Sequence, residues 1–258
     1  MKTFRKRLTW LLLVLFLLPV LITSVWYYRQ VRQQRLDHAL IEAIKKEDTQ
    51  KAIALLDEGA DANTVDKPYT PVTFKSVLTD FWNRAKGNKT VNDDAFYSTP
   101  LRLLYPMNAF LVSPGVLQKM QLLNYKPPQE HAELVRALMA HGAVTDGRDR
   151  YGRTILYYAT ADNHAATVKV LLEYGVNPNI RDNQGLTSLW FANSVCARLL
   201  IAGGGKVSIM DYRGSTPLEY VEYVAGIVGA GDDKDLIPLL EAALKKEQAE
   251  QKSSVSPR

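Results

Sequence analysis

The side chains that most often do chemistry are few in this chain, and they are scattered. There is one cysteine, Cys196, in the apolar segment VCARLL, which favours a small buried hydrophobe over a nucleophile. A single cysteine also excludes an internal disulfide framework and cysteine-based zinc sites. The four histidines, none with a metal-spaced partner, are His38, His131, His141 and His164. The sequence therefore predicts no metal site and no nucleophile.

Two further clusters imitate ligand-binding motifs. Gly203–Lys206 resembles the end of a phosphate-binding loop, but Leu200 occupies the position where that loop needs its first glycine. We interpret this glycine run as a helix terminus. Asp232, Asp233 and Asp235 are expected near the start of the last helix, where carboxylates are favoured. We expect no catalytic residue, no cofactor and no small-molecule substrate.

A repeated signature is the strongest organising feature of the sequence. The pattern Asp-x-x-Gly-x-Thr occurs at 149–154, 182–187 and 211–216. The first two threonines are 33 residues apart and the next two are 29 apart. Such a near-constant period predicts an array of stacked helical units, because one unit alone cannot bury its apolar face.

The unit at residues 148–180 resembles the ankyrin repeat. The matching positions are Asp149, Gly152, Thr154, Leu156, Ala159, His164, Val168, Leu171, Leu172, Gly175 and Asn179. The departures are Ile155, where proline is usual, and Asn163, where glycine is usual. The resemblance implies an all-α solenoid of helix-turn-helix units joined by β-hairpin turns, with a surface that binds proteins. It also implies that His164 has a structural role.

The same register sets the domain boundaries. It predicts an ankyrin-like repeat domain over 36–247, followed by a disordered tail at 248–258. The unit at 181–207 is trimmed between its helices. A surplus of 51 residues falls at about 72–129. It represents either a divergent repeat with a loop or one repeat with a long insertion, and we expect a mixture of the two.

The N-terminus carries a different signal. Residues 8–28 contain no charge and would span roughly 31 Å as a helix, which is enough for a bilayer core. We predict a transmembrane signal anchor there, after a basic tail at 1–7 and before a linker at 29–35. The run is too long for a cleaved signal peptide, and no Ala-x-Ala-like site follows it. A buried helix of a soluble domain is disfavoured because nothing amphipathic interrupts the run.

Charge at the two ends of this segment predicts its orientation. Four basic residues precede it and three follow, which weakly favours a cytoplasmic N-terminus. We accordingly expect a single-pass protein of a bacterial inner (cytoplasmic) membrane, with its repeats in the periplasm. The net charge of +5 comes from this end of the chain, because residues 36–258 contain 25 basic and 27 acidic side chains. Nucleic acid is therefore not an expected partner.

The resemblance places candidate protein-binding residues at the hairpin tips and on the outward side of the first helix of each unit. They are Arg150, Tyr151, Asn183, Gln184, Tyr212 and Arg213 at the tips, with Tyr157, Trp190 and Glu219 on the helices. Tyr, Trp and Arg are the types that most often anchor interfaces. For Tyr157 and Trp190, packing beneath the irregular insertion is an equal alternative. Tyr158, Phe191 and Tyr220, one position along, are expected to pack between repeats.

These features predict a membrane-anchored, non-catalytic adaptor that binds a protein partner. Two narrower hypotheses remain open: a periplasmic immunity protein that neutralises a toxin or effector, and a scaffold for an enzyme of envelope stress defence. An enzyme with an unrecognised active site is disfavoured, since no constellation of reactive side chains is found.

Overall fold

The fold was analysed in a computed structural model, which describes residues 2–66, 99–104, 131–228 and 233–255. Within these ranges the chain is helical and has no strand, in agreement with the predicted all-α class. The helices are α1 Lys2–Lys45, α2 Thr49–Asp57, α3 Pro100–Leu103, α4 Ala132–Ala140, α5 Ile155–Ala161, α6 Ala165–Glu173, a 3₁₀ helix Ser188–Phe191, α7 Ser194–Ala202, α8 Pro217–Val228 and α9 Leu236–Val255. Most of the expected insertion at 72–129 lies outside the described residues.

The helices form two rows. In the outer row, α2, α4, α6, α7 and α9 each pack on the next. In the inner row, α1 packs on α3, α5 on the 3₁₀ helix, and the 3₁₀ helix on α8. Each inner helix also packs on the outer helix that follows it in the chain. The described residues thus build a solenoid of stacked helix pairs.

A column of leucines runs through the outer row. Each outer helix contributes at least one fully buried leucine; these include Leu56, Leu138, Leu171, Leu200 and Leu240. They recur because each of these leucines follows another apolar residue by three positions, which puts one apolar stripe on the helix. Burying one such side chain stabilises the fold by about 1.5–3 kcal/mol, so the stack is held mainly by contacts between neighbouring repeats.

The two described outer helices on either side of the expected insertion are in contact. Helix α2 packs directly on α4. The Asn63 side chain joins the two loops by donating to the Gly142 carbonyl (2.9 Å) and accepting from the Val144 N–H (2.7 Å). An equivalent bond joins Asn179 to the Gly204 carbonyl at 2.8 Å, between two repeats that adjoin in sequence. The described helices on the two sides of the expected insertion therefore adjoin in the stack, as neighbouring repeats do.

The trimmed unit has a short 3₁₀ helix where its neighbours have an α-helix. Only Ala192 and Asn193 separate this helix from α7. The Asn193 side chain accepts the Cys196 N–H at 2.8 Å and so caps α7 directly. Thr187 precedes the 3₁₀ helix but makes no capping hydrogen bond. The four-residue deficit thus removes the connecting turn and shortens the first helix.

Helix α1 joins the N-terminal segment to the repeats without a break. It runs through residues 29–35, where we expected a linker. Arg32 and Gln33 donate to the carbonyls of Glu58 (3.3 Å) and Gly59 (2.9 Å), and the following turns of α1 form the inner helix of the first repeat. Across the described residues we find no helix both long and apolar enough to cross a membrane.

The other end of the array is closed by α9. The Glu247 carboxylate accepts the N–H groups of Val207 (2.6 Å) and Ser208 (3.1 Å) in the preceding repeat. Helix α9 continues to Val255, so residues 248–255 are helical where we expected disorder. This long exposed helix matches the polar outer face that a terminal repeat requires.

Candidate protein-binding surface

The three Asp-x-x-Gly-x-Thr segments fold into closely similar hairpin tips. In the first, the Asp149 carboxylate accepts the N–H groups of Tyr151 and Arg153, both at 2.8 Å. Asp182 and Asp211 make the corresponding pairs of bonds, at 2.8 and 2.9 Å in each tip. The aspartates are therefore structural, because each ties its own turn together from inside.

Successive tips are hydrogen-bonded to one another. The Asn183 N–H donates to the Tyr151 carbonyl (2.8 Å), and the Tyr212 N–H donates to the Gln184 carbonyl (3.2 Å). The Asn183 side chain adds a bond to the Arg150 carbonyl (2.9 Å). We call residues 148–153, 181–186 and 210–215 the hairpin edge.

Six predicted binding residues lie together on the hairpin edge with exposed side chains. They are Arg150, Tyr151, Asn183, Gln184, Tyr212 and Arg213. Tyr212 is 70% exposed and Tyr151 is 38% exposed. Large aromatic side chains with this exposure are available to a partner. Whether they bind one stays a prediction.

Two arginines on this surface were missed in the sequence. Arg148 donates to the Arg181 carbonyl (3.2 Å), and Arg181 in turn donates to the carbonyl of Met210 (2.9 Å). The Arg181 guanidinium also lies 4.8 Å from the centre of the Tyr212 ring. The 33-residue spacing of Arg148 and Arg181 was the available signal, since it repeats the period of the array.

A buried ionic network lies beneath the first tip. Arg153 contacts the Asp149 carboxylate at 2.9 Å through both Nε and Nη2, and the Tyr158 hydroxyl donates to the same oxygen. Burial alone would raise the pKa of Asp149, but the Tyr158 and Arg153 hydrogen bonds outweigh it and lower that pKa. The pKa of Arg153 is raised despite burial, through the charges of Tyr158 and Asp149. Tyr158 is fully buried, as predicted.

Tyr157 and Trp190 do not face outward. They are 8% and 4% exposed, which favours packing over a partner contact for both residues. Tyr157 packs against Phe191 of the next unit with 4.6 Å between ring centres, and Trp190 packs against Tyr220 at 5.4 Å. Burial raises the pKa of Tyr157, even though nearby Arg153 opposes the shift. Each ring is covered by an aromatic side chain of the following repeat, so both serve the repeat stack.

Glu219 is exposed, but it has a local structural role. Its carboxylate accepts the Thr216 N–H (2.8 Å), while the Thr216 hydroxyl accepts the Glu219 N–H (3.3 Å). This reciprocal pair is a capping box at the start of α8. Thr-x-x-Glu before an apolar run was the sequence signal for it.

The remaining reactive side chains have structural surroundings. Cys196 is buried, and no cluster of metal-ligating groups occurs among the residues the structure describes. His141 ends α4 and lies 3.2 Å from the Asp57 carboxylate. Gly203 ends α7, as predicted for the glycine run. Asp233 accepts the Ser194 N–H at 2.5 Å and so serves the start of α7.

Comparison with known protein families gives one match. Residues 124–182 match the family described as Ankyrin repeats (3 copies). The prediction of ankyrin repeats is confirmed over this segment, which includes helices α4 to α6 and the first hairpin tip. Ankyrin repeats typically bind protein partners and are typically non-catalytic. A comparison with curated proteins finds no match.

Proposed function

We propose that this chain is a membrane-anchored adaptor that binds a protein partner along its hairpin edge. The observation that carries the proposal is the row of exposed tip side chains, held in register by the bonds from Asn183 to Tyr151 and from Tyr212 to Gln184. A surface whose backbone is already ordered loses little conformational entropy on binding. Tyr and Arg at the tips are residue types that anchor interfaces.

Anchoring is the second part of the proposal. Its support is the uncharged segment 8–28 and the exposure of successive apolar side chains within it, such as Leu17, Leu18, Leu21 and Ile22. Segment 8–28 has no charged residue on any side of its helix, so one docking face on a soluble partner could not cover it. A bilayer covers all sides at once. The proposed orientation puts the repeats in the periplasm.

The adaptor function is tested by site-specific photo-crosslinking in living cells. A photoreactive phenylalanine analogue replaces Tyr151 or Tyr212 in separate variants of the full chain. The proposal expects the same crosslinked protein from both positions. The control position is Tyr174, which is exposed at the end of outer helix α6. Crosslinked adducts from Tyr174 alone, or no adduct from either tip, would contradict the assignment of the hairpin edge as the binding surface.

Anchoring is tested separately by fractionation and protease accessibility. The full chain should remain in membranes after alkaline extraction, and deletion of residues 8–28 should release it. Protease should degrade the repeats only after the outer membrane is permeabilised. Degradation only after the inner membrane is also opened would reverse the proposed orientation. Release of the full chain by alkaline extraction would refute the anchor.

A further inference from the structure

Along the hairpin edge, the aspartates are more buried than most of the arginines. The carboxylates of Asp149 and Asp182 are buried, and each aspartate of the three tips accepts N–H groups of its own turn. The arginines at the edge, apart from buried Arg153, are exposed: Arg148, Arg150, Arg181 and Arg213. The edge contains five arginines and three aspartates, and two of the aspartates are buried, so the outward charge is positive. Asp146, two residues before the edge in sequence, is exposed.

The arginines at the tips lack the pairing seen elsewhere on the surface. On the helices, Arg136 pairs with Glu173 at 2.8 Å and Arg198 with Asp235 at 3.4 Å. Among the residues the structure describes, Arg150 and Arg213 have no carboxylate partner. Their guanidinium groups therefore have donors available for a carboxylate supplied from outside.

Two tyrosines hold cations in place along this edge. The guanidinium carbons of Arg150 and Arg153 lie 4.8 and 4.4 Å from the centre of the Tyr151 ring. The Tyr212 ring lies 4.8 Å from Arg181. Stacking on Tyr151 restricts the Arg150 side chain before binding, so less entropy is lost when it pairs with a carboxylate.

We infer that the hairpin edge binds an acidic segment of the partner protein. Carboxylates of that segment pair with Arg150 and Arg213, and its apolar atoms pack on Tyr151 and Tyr212. Arginine accepts a carboxylate in a two-pronged geometry, and complementary charge also speeds encounter. This inference rests on the proposed adaptor function and adds the chemical class of the partner.

The test measures binding of defined probes to the full chain in detergent, by fluorescence anisotropy. The probe is a labelled peptide of alternating Glu and Tyr, compared with one of alternating Gln and Tyr. We expect binding at least tenfold tighter for the Glu peptide, weakening as salt rises. A labelled oligo-dT of equal charge is the third probe. Equal binding of the two peptides, or tighter binding of oligo-dT, would overturn the inference.

Charge-matched variants locate the binding. Arg150→Gln with Arg213→Gln should weaken Glu-peptide binding about tenfold or more, since two charge-assisted contacts are lost. The control is Lys169→Gln with Lys206→Gln, which removes the same charge from exposed positions away from the edge. Equal losses of affinity in both double variants would mean that net charge alone explains the effect, and would refute the site. Circular dichroism confirms that both variants fold.

The photo-crosslinking experiment separates this inference from the proposed function. If Tyr151 and Tyr212 crosslink one partner, and the Arg150→Gln, Arg213→Gln variant still crosslinks it equally well, the adaptor stands and the acidic partner is refuted. If neither tip crosslinks any protein, the adaptor function itself has failed.

Discussion

The backbone N–H of Asn183 donates to the carbonyl of Tyr151 across 2.8 Å, which joins the tips of two consecutive repeats. The Tyr212 N–H repeats this bond to Gln184 at the next junction. Such close approach of two backbones constrains the glycines of the first two tips, Gly152 and Gly185. A Cβ added at Gly185 would lie 2.9 Å from the Tyr212 nitrogen, whereas one at Gly214 would meet nothing within 4 Å.

These glycines give the first prediction. Gly185 and Gly214 have almost the same positive φ, +86° and +87°. Gly214→Ala should therefore cost only the backbone strain, about 1–2 kcal/mol. Gly185→Ala should cost about 1–3 kcal/mol more, because it also forces the next tip away. Urea unfolding of the two variants measures the difference, and equal losses of stability would contradict close tip-to-tip contact.

The second prediction concerns acid stability. The pKa of Asp149 is lowered in the fold, so its stabilising effect is complete above about pH 4 and is lost as pH falls through the lowered value. Asp149→Asn should destabilise the protein by about 3–5 kcal/mol at pH 7, because Arg153 is left buried without its counter-charge. Below pH 4 the difference in free energy of unfolding between the parent and Asp149→Asn should become smaller. Unfolding measured from pH 3 to 7 tests this.

Asp182 is the control for that experiment. Burial raises its pKa, so its contribution is complete below about pH 4 and is lost as pH rises through the raised value. The free energy of unfolding of Asp182→Asn should therefore compare less well with that of the parent at low pH and more favourably at pH 7. A parallel pH profile for Asp149→Asn and Asp182→Asn would rule out the network of Asp149 with Arg153 and Tyr158.

The sequence was sufficient for the parts of the fold that are encoded locally. Asp149 and its equivalents bond to N–H groups two and four residues away, so a short motif specifies the whole turn. Asn163 replaces the usual glycine and still adopts a φ of +60°, which asparagine tolerates better than most residues. The repeat architecture could thus be predicted despite both departures from the family pattern.

Tyr157 and Trp190 show where local reasoning stops. Their burial depends on Phe191 and Tyr220, which come from the following unit and approach only after the stack has formed. The trimmed unit makes this harder to foresee, since its 3₁₀ helix changes the direction of the side chains. Exposure of a residue on an inner helix is therefore a property of neighbouring repeats, and no period in the sequence specifies it.

A third prediction compares two threonines at equivalent positions. The Thr154 hydroxyl accepts the Tyr157 N–H and caps α5. The Thr187 hydroxyl is buried and has no hydrogen-bond partner among the described residues. Thr154→Val should cost about 1 kcal/mol, the usual value of a lost N-cap. Thr187→Val should be neutral or stabilising, because it removes an unpaired buried hydroxyl. Thermal unfolding measures both, and an equal loss in the two variants would refute the difference in capping.

The fourth prediction concerns the end of the array. Glu247 of α9 accepts two N–H groups of the preceding repeat, from Val207 and Ser208. Hydrogen bonds to a charged group are worth about 1.5–3 kcal/mol, and an end repeat contacts only one neighbour. Glu247→Ala should therefore speed amide exchange at Val207 and Ser208 and through α9, while the Leu56 and Leu138 region stays protected. Hydrogen exchange with mass spectrometry resolves these segments.

Glu250→Ala is the matched control on the same helix. The exposed Glu250 carboxylate pairs with Lys246 at 3.9 Å, which is a weak surface pair one turn away. Glu250→Ala should leave amide hydrogen exchange near Val207 unchanged. If Glu250→Ala opened α9 as much as Glu247→Ala did, the bonds from Val207 and Ser208 to Glu247 would not explain the opening. If Glu247→Ala instead loosened all repeats equally, the array would unfold as one unit, and the nearest-neighbour description of its stability would fail.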